Sequence, residues 1–254
     1  MGSSILQNNF QPLEKGKESN LSITLKKLKL YEGIVENSVI FGESVDALKS
    51  LPFSHIRCLA LGSPTESIPS LYQLAYLNKI RQYLKVGEPS ISLYDPIFTD
   101  IDVHLLTGIL RFEVGENFDN PGEKTLFFLP HASLELTEQV LAESQPLWLL
   151  GNDITAHSIR LPKLKLHEKY RTVSLLANLL EKNSNAEKKS VQYDGFEEPM
   201  TKTRRRKHRQ QQPVPVINFD YSGCYFSSAS MKPLTDTEGP WGNAFSSLSL
   251  HLLS

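Results

Sequence analysis

Polar and glycine residues follow four short apolar segments of this sequence, and their chemical types are suited to ligand binding. The residues at these positions are Gly62, Ser63, Asp95, His131, Gly151 and Asn152. In open α/β sheets, ligands bind beyond the carboxyl ends of the strands, so we expect these residues to lie along one edge of a sheet. The sequence therefore predicts a ligand-binding edge, but it identifies neither the ligand nor a cofactor.

Several of these residues fit a nucleotide or S-adenosylmethionine site. Gly62 would let backbone N–H groups approach an anionic group at the start of a helix. Asp95 stands where nucleotide-binding folds place an acid on a ribose hydroxyl. His131 could act as a general base or as a metal or haem ligand. Asn152 could hydrogen-bond a ligand through its amide.

Each residue also has a structural interpretation, which the sequence leaves open. A single glycine is not the three-glycine dinucleotide fingerprint, so Gly62 also fits a tight turn. Asp95 lies 33 residues after Gly62, more than the usual ~20, and could instead order the Asp-Pro turn. No second histidine stands at ligand spacing from His131, so we predict no metal site there. Asn152 could cap the following segment.

Alternating strand and helix patterns position these residues. Continuously apolar segments indicate buried strands, and apolar residues at helical spacing indicate helices between them. The predicted strands are 56–61, 90–94, 111–114, 125–129 and 147–150, and the predicted helices are 70–85, 100–110, 134–143 and 166–181. Ser67, Thr99 (or Asp100) and Ser133 are the predicted helix N-caps.

This alternation predicts an α/β fold with a Rossmann-like, mostly parallel sheet and helices on both faces. Two later segments, 214–219 and 248–252, alternate apolar and polar residues. Such alternation indicates half-exposed strands, so we predict a C-terminal antiparallel strand pair at the edge of the sheet.

Composition divides the chain into one domain and two flexible segments. Residues 1–20 are polar and predict a flexible N-terminal tail. Residues 183–213 carry eight Lys or Arg and four Asp or Glu, and predict a basic, disordered insert. Residues 21–182 form the predicted α/β domain, which residues 214–254 complete. The net charge of −1 is then the sum of an insert at +4 and a remainder at −5.

The insert contains six basic residues without an acid between them, a pattern that fits a nuclear localisation signal. They are Lys202, Arg204, Arg205, Arg206, Lys207 and Arg209. Because no aromatic residue is interleaved with them, stacking on nucleic acid is not favoured. The net charge of −1 also excludes a globally basic nucleic-acid-binding protein.

The sequence carries no signal for a membrane or for a disulfide-built fold. No apolar run approaches the ~18 residues that a membrane-spanning helix needs. Leu6 stands where a myristoylation motif has Ser or Thr. The two cysteines, Cys58 and Cys224, exclude a fold built on disulfides. We therefore expect an intracellular protein without a membrane partner.

Five segments of the predicted domain carry recognisable motifs: 58–63 (CLALGS), 73–75 (QLA), 94–98 (YDPIF), 125–131 (TLFFLPH) and 151–152 (GN). In order and spacing, these segments resemble the sensitivity-to-red-light-reduced (SRR-like) domain family. The resemblance covers about residues 38–182 and is greatest to fungal members of the kind named for benomyl resistance. The family commonly has Cys after the His, where this chain has Ala132, so the resemblance implies no thiol-dependent role there.

The resemblance implies a non-enzymatic regulatory protein with protein partners, placed in the cytoplasm and nucleus. Plant members are associated with light signalling and the circadian clock, and animal members with clock-gene expression and haem biosynthesis. Fungal members are linked to microtubule-related processes. The competing hypothesis rests on Gly62 and Asp95: a nucleotide- or S-adenosylmethionine-binding enzyme that uses the edge of the sheet.

Overall fold

A computed structural model describes residues 15–120, 122–191, 217–234 and 239–254, and seven strands within these ranges form one sheet. The strands are β1 (His55–Leu59), β2 (Ile91–Tyr94), β3 (Glu113–Val114), β4 (Thr125–Leu129), β5 (Trp148–Asn152), β6 (Ala229–Pro233) and β7 (Leu248–Leu253). Their order across the sheet is β3-β2-β1-β4-β5-β7-β6.

The first five strands are parallel, and the last two are reversed relative to their neighbours in the sheet. In the centre, Ile56 of β1 lies beside Ile91 of β2 and Leu126 of β4 in parallel register. Strand β7 runs antiparallel to both β5 and β6. The predicted mostly parallel sheet with a C-terminal antiparallel pair is thus confirmed.

Eight α-helices within the described ranges surround this sheet. They are α1 (Lys15–Glu36), α2 (Val39–Leu48), α3 (Ile68–Tyr83), α4 (Asp100–Val103), α5 (Leu134–Gln139), α6 (Ile154–Ser158), α7 (Lys163–Lys169) and α8 (Arg171–Val191). Helices α4 and α5 continue as π-helical turns, His104–Ile109 and Val140–Ser144, and short 3-10 turns occupy Glu88–Ser90 and Gly122–Lys124. No helix among the described residues is both long and apolar enough to span a membrane.

Successive side chains of the central strands point into two hydrophobic cores. Along β4, Leu126 and Phe128 join the core that α1, α2 and α3 cover. Phe127 and Leu129 join the second core, which α5 and α8 cover. Because both faces are buried, β4 reads as a continuous apolar segment, as parallel strands covered on both sides do.

The predicted N-caps are confirmed. The Ser67 hydroxyl accepts a hydrogen bond from the Ser70 N–H, and the Ser133 hydroxyl accepts one from the Leu136 N–H. Thr99 caps α4 in the same way. Each such bond satisfies a backbone donor that has no partner within the helix, and is worth about 1 kcal/mol.

The structure corrects the predicted C-terminal helix and the start of the chain. The single helix predicted over 166–181 is two helices, because the Glu138 carboxylate accepts hydrogen bonds from the Thr172 and Val173 N–H groups and so caps a new helix there. Helix α1 begins at Lys15, so residues 15–20 of the predicted flexible tail are helical. Helix α8 likewise continues to Val191, into the predicted insert. Residues 192–216 lie outside the described residues, and so do residues 1–14.

The strand predicted over 214–219 is wrong where the structure describes it. Residues 217–219 form no strand, and the partner of β7 at the edge is β6. Phe219 packs instead against the ring of His167, with 5.4 Å between the ring centroids. Its apolar side chain therefore serves the second core and not the sheet.

Candidate functional site

The carboxyl ends of β1, β2, β4 and β5 share one edge of the sheet, because these strands are parallel. We call this edge the carboxyl edge. The predicted site residues lie at the ends of these strands or in the loops that follow them. Contacts within the described residues join them into two groups. One group contains Gly62, Ser63 and Asp95, and the other contains Gly151 and Asn152 with the loop that carries His131.

Asp95 ties the loop after β1 to the loop after β2. Its Oδ2 accepts a hydrogen bond from the Gly62 N–H at 2.8 Å, and its Oδ1 accepts one from the Ile97 N–H at 3.1 Å. Gly62 has φ of +78°, and an added Cβ would lie 2.4 Å from the Ser70 Oγ. Glycine is therefore required here both by the backbone conformation and by the close approach of α3.

Ser63 belongs to a second carboxylate-centred cluster, around the fully buried Asp102. Asp102 accepts hydrogen bonds from the Ser63 Oγ at 2.7 Å, from the Thr65 N–H at 2.9 Å and from the Thr65 Oγ1 at 2.7 Å. It also accepts from the N–H and the hydroxyl of Thr99, both at 2.9 Å. These five hydrogen bonds offset the cost of burying one carboxylate, and they connect the same two loops a second time.

Sequence reasoning missed Asp102, although a signal for it exists. Thr99 and Asp102 form a capping box, in which each side chain bonds to the backbone N–H of the other. The spacing of a Thr followed three residues later by an acid is readable from sequence. That the same acid also reaches Ser63 and Thr65 across 37 or more residues is not readable.

The second group is held by an amide and by close strand packing. Gly151 and Asn152 are the last residues of β5, and not the loop residues that the predicted strand end at 150 implied. A Cβ on Gly151 would lie 3.1 Å from the Leu129 carbonyl oxygen, so glycine lets these strands approach. The Asn152 Nδ2 donates to the Ala132 carbonyl oxygen at 3.2 Å and fixes the loop after β4.

His131 lies beside this bond, in the loop between β4 and α5. Partial burial lowers the pKa of its imidazole below the ordinary value. Among the residues that the structure describes, it has no hydrogen-bond partner and no carboxylate at ion-pair distance. A base normally needs a third group to orient it, and none of the described residues does so for His131.

Two buried polar residues in the sheet were also missed. The Arg57 guanidinium on β1 donates to the Ser92 Oγ at 2.6 Å and to the Glu116 carbonyl oxygen at 2.8 Å, and it stacks over the Phe118 ring at 5.1 Å. Burial lowers the pKa of Arg57 and raises that of the neighbouring Cys58 thiol. Arg57 therefore anchors the segment after β3.

His251 of β7 is the other missed residue. It is fully buried: its Nδ1–H donates to the Leu149 carbonyl oxygen at 3.2 Å, and its Nε2 accepts from the Ile154 N–H at 3.5 Å. Burial lowers its pKa to about 4, so it is a neutral imidazole. Next to it, Asp153 caps α6 by accepting from the Ala156 N–H at 3.0 Å.

Within the described ranges, no group of three or more His, Cys, Asp or Glu side chains is placed to hold a metal ion. The six basic residues of the predicted localisation signal, 202–209, lie outside the described residues.

Comparisons with known proteins extend the resemblance seen in the sequence. A family model described as the SRR1 domain matches residues 18–252. The "SRR1-like protein" of Mus musculus is 27% identical over 138 residues, which is 49% of this chain and 55% of the mouse protein. The chain thus spans about half the length of the curated relative it matches. No solved structure matches this chain.

Proposed function

Because the chain belongs to the SRR1 domain family, we propose that it is a regulatory protein that acts by binding protein partners and not by catalysis. The observation that carries this proposal is the engagement of the carboxylates at the carboxyl edge. Asp95 accepts two backbone N–H groups, and Asp102 accepts from five donors. These acids hold loops together.

A catalytic acid or base must reach the proton that it transfers. Both oxygens of Asp95 accept hydrogen bonds from backbone N–H groups of the protein itself. If Asp95 moved toward a substrate, the Gly62 and Ile97 N–H groups would lose their acceptor. Each hydrogen bond to a charged group contributes about 1.5–3 kcal/mol. The arrangement therefore supports a rigid scaffold better than a reacting centre.

The process that the protein regulates is proposed from the segments that resemble fungal members. We place it first in a microtubule-related process, with clock-linked or haem-linked regulation as the alternatives that the wider family suggests. A cytoplasmic and nuclear distribution, driven by the basic run 202–209, belongs to the same proposal.

The test combines two conservative changes at the carboxyl edge, Asp95→Asn and His131→Gln. The double variant should fold normally by circular dichroism, keep the set of partners recovered by affinity purification, and support benomyl resistance in a fungal strain that lacks its own family member. Asp119→Asn with His55→Gln is the matched control, because it changes the same residue types outside the loops that follow β1, β2, β4 and β5. A folded double variant that loses function, while the control keeps it, would refute the non-catalytic proposal.

The alternative, a nucleotide- or S-adenosylmethionine-binding enzyme, rests on one contact. Gly62 and Asp95 meet where the first two parallel strands end, which is where such ligands bind in related sheets. It requires Asp95 to exchange the Gly62 N–H for a ribose hydroxyl. A thermal-shift panel of nucleotides, S-adenosylmethionine and haem separates the two, since a ligand at 100 times its Kd adds about 2.7 kcal/mol of stability.

A further inference from the structure

Residues 159–169, which lead from α6 into and through α7, combine exposed aliphatic side chains with cations. Ile159 is 78% exposed and Leu164 is 39% exposed. This segment, which we call the α7 patch, holds four Lys or Arg and one Glu. It therefore carries +3 in a chain whose net charge is −1.

A small cavity of about 40 Å³ opens at this patch. Its apolar walls include Ile159, Leu161, Leu166 and Phe219. One water needs roughly 10–15 Å³ of such volume, so the cavity has room for a short aliphatic side chain. The apolar walls favour an apolar occupant, as they do in the pockets that anchor protein interfaces.

The cations beside this cavity differ in how they are engaged. The Lys163 Nζ bonds the Glu181 carboxylate at 2.6 Å, at the mouth of the cavity. Arg160 and Lys165 are exposed, and within the described residues neither forms an ion pair. They are therefore available to carboxylates of another molecule.

We propose that the α7 patch binds an acidic segment of a partner protein. One aliphatic side chain of that segment occupies the cavity, and its carboxylates face Arg160 and Lys165. The inference rests on the proposed function in one respect, because a regulator without catalysis must act through partners. Complementary charge favours rapid encounter, and the buried anchor side chain supplies most of the affinity.

Two other anionic partners fit the patch less well. Nucleic acid binds by stacking bases on aromatic side chains, whereas the exposed apolar residues here are aliphatic. An anionic membrane surface would meet the carboxylates of Glu168 and Glu181 as well as the cations, and only Ile159 and Leu164 would insert.

The experiment selects random twelve-residue peptides displayed on phage against the full chain. A triple variant, Ile159→Ser, Arg160→Glu and Lys165→Glu, serves for counter-selection. The matched control carries Ile23→Ser, Lys26→Glu and Lys27→Glu on α1, where Ile23 is 50% exposed and both lysines are exposed. Circular dichroism confirms that both variants fold.

The expected peptides carry Asp or Glu on both sides of a Leu, Ile or Val. In fluorescence anisotropy, a selected peptide should bind the triple variant at least about tenfold more weakly than the unchanged protein and the control, and added salt should weaken its binding. Peptides without acids, no enrichment, or equal binding to the triple variant would overturn the proposal.

Two further arms use phosphatidylserine vesicles and a single-stranded 20-mer oligonucleotide as probes. Binding of either probe that depends on the α7 patch, without selected acidic peptides, would assign the patch to that partner instead. The peptide experiment can contradict binding at the α7 patch while the Asp95 and His131 double variant keeps its function. In that case the proposed regulatory role stands, and only the proposed docking surface is rejected.

Discussion

Acid should destabilise this protein through one buried imidazole, that of His251. The side chain is fully buried, and its pKa falls from the ordinary 6.5 to about 4. In the unfolded chain the imidazole gains its proton near pH 6.5, but in the folded protein it must stay neutral to keep accepting from the Ile154 N–H. The unfolded state therefore binds more protons between these pKa values, and stability is lost as the pH falls through that window.

The size of this loss follows from the two pKa values. One pKa unit corresponds to about 1.4 kcal/mol, so the full penalty below pH 4 is about 3 kcal/mol. Between pH 7 and pH 4.5, most of that penalty has accumulated, and we expect His251 to remove about 2 kcal/mol from the free energy of unfolding.

Urea denaturation of the unchanged protein and of His251→Gln measures this directly. Glutamine offers both a donor and an acceptor but does not titrate. The fluorescence of the buried Trp148 and Trp241 reports unfolding. His131 and His157, whose pKa values are also lowered by burial, are present in both proteins and cancel in the comparison. Free energies that fall in parallel for the two proteins, within about 0.5 kcal/mol, would refute the assignment of the acid sensitivity to His251.

Three shorter predictions concern the carboxyl edge. Asp102→Ala should lower the free energy of unfolding by about 3 kcal/mol or more in urea titrations, because it leaves buried hydroxyl and N–H donors without their acceptor. Gly62→Ala should cost about 1–3 kcal/mol, and adding Ser70→Ala should recover only part, since the φ of +78° stays unfavourable. Millimolar S-adenosylmethionine should leave the melting temperature unchanged, and a clear rise that Asp95→Ala abolishes would favour the enzyme hypothesis.

The sheet was predictable because its strands are short, apolar and separated by helix caps. Residues 126–129 of β4 are all apolar, and this strand has the predicted bounds, as a strand covered on both faces should. The helix break at Tyr170 was not predictable, because the cap of α8 comes from Glu138, more than 30 residues away. The strand predicted at 217–219 is wrong for a similar reason. The Phe219 side chain packs on α7, and the alternation of apolar and polar residues does not show which element an apolar side chain contacts.

The site residues could be located from the sequence by their positions, but their partners within the fold could not. Strand ends located Gly62, Asp95 and Asn152, since parallel strands bring their carboxyl ends to one edge. Asp102 and His251 were missed, because one lies in a helical segment and the other in a late antiparallel strand. Their roles depend on contacts with Ser63 and Leu149 that only the folded chain makes.

These contacts also support our proposal that partners bind outside the carboxyl edge. Asp95 and Asp102 fix the loops after β1 and β2 by seven hydrogen bonds in the described structure, so a ligand there must first break bonds to charged groups. At the α7 patch, Arg160 and Lys165 are exposed and have no ion pair within the described residues, so an acidic partner displaces little but water. Affinity reflects the interactions gained minus those given up. On that balance, the α7 patch is a better place than the carboxyl edge for the proposed acidic partner to bind.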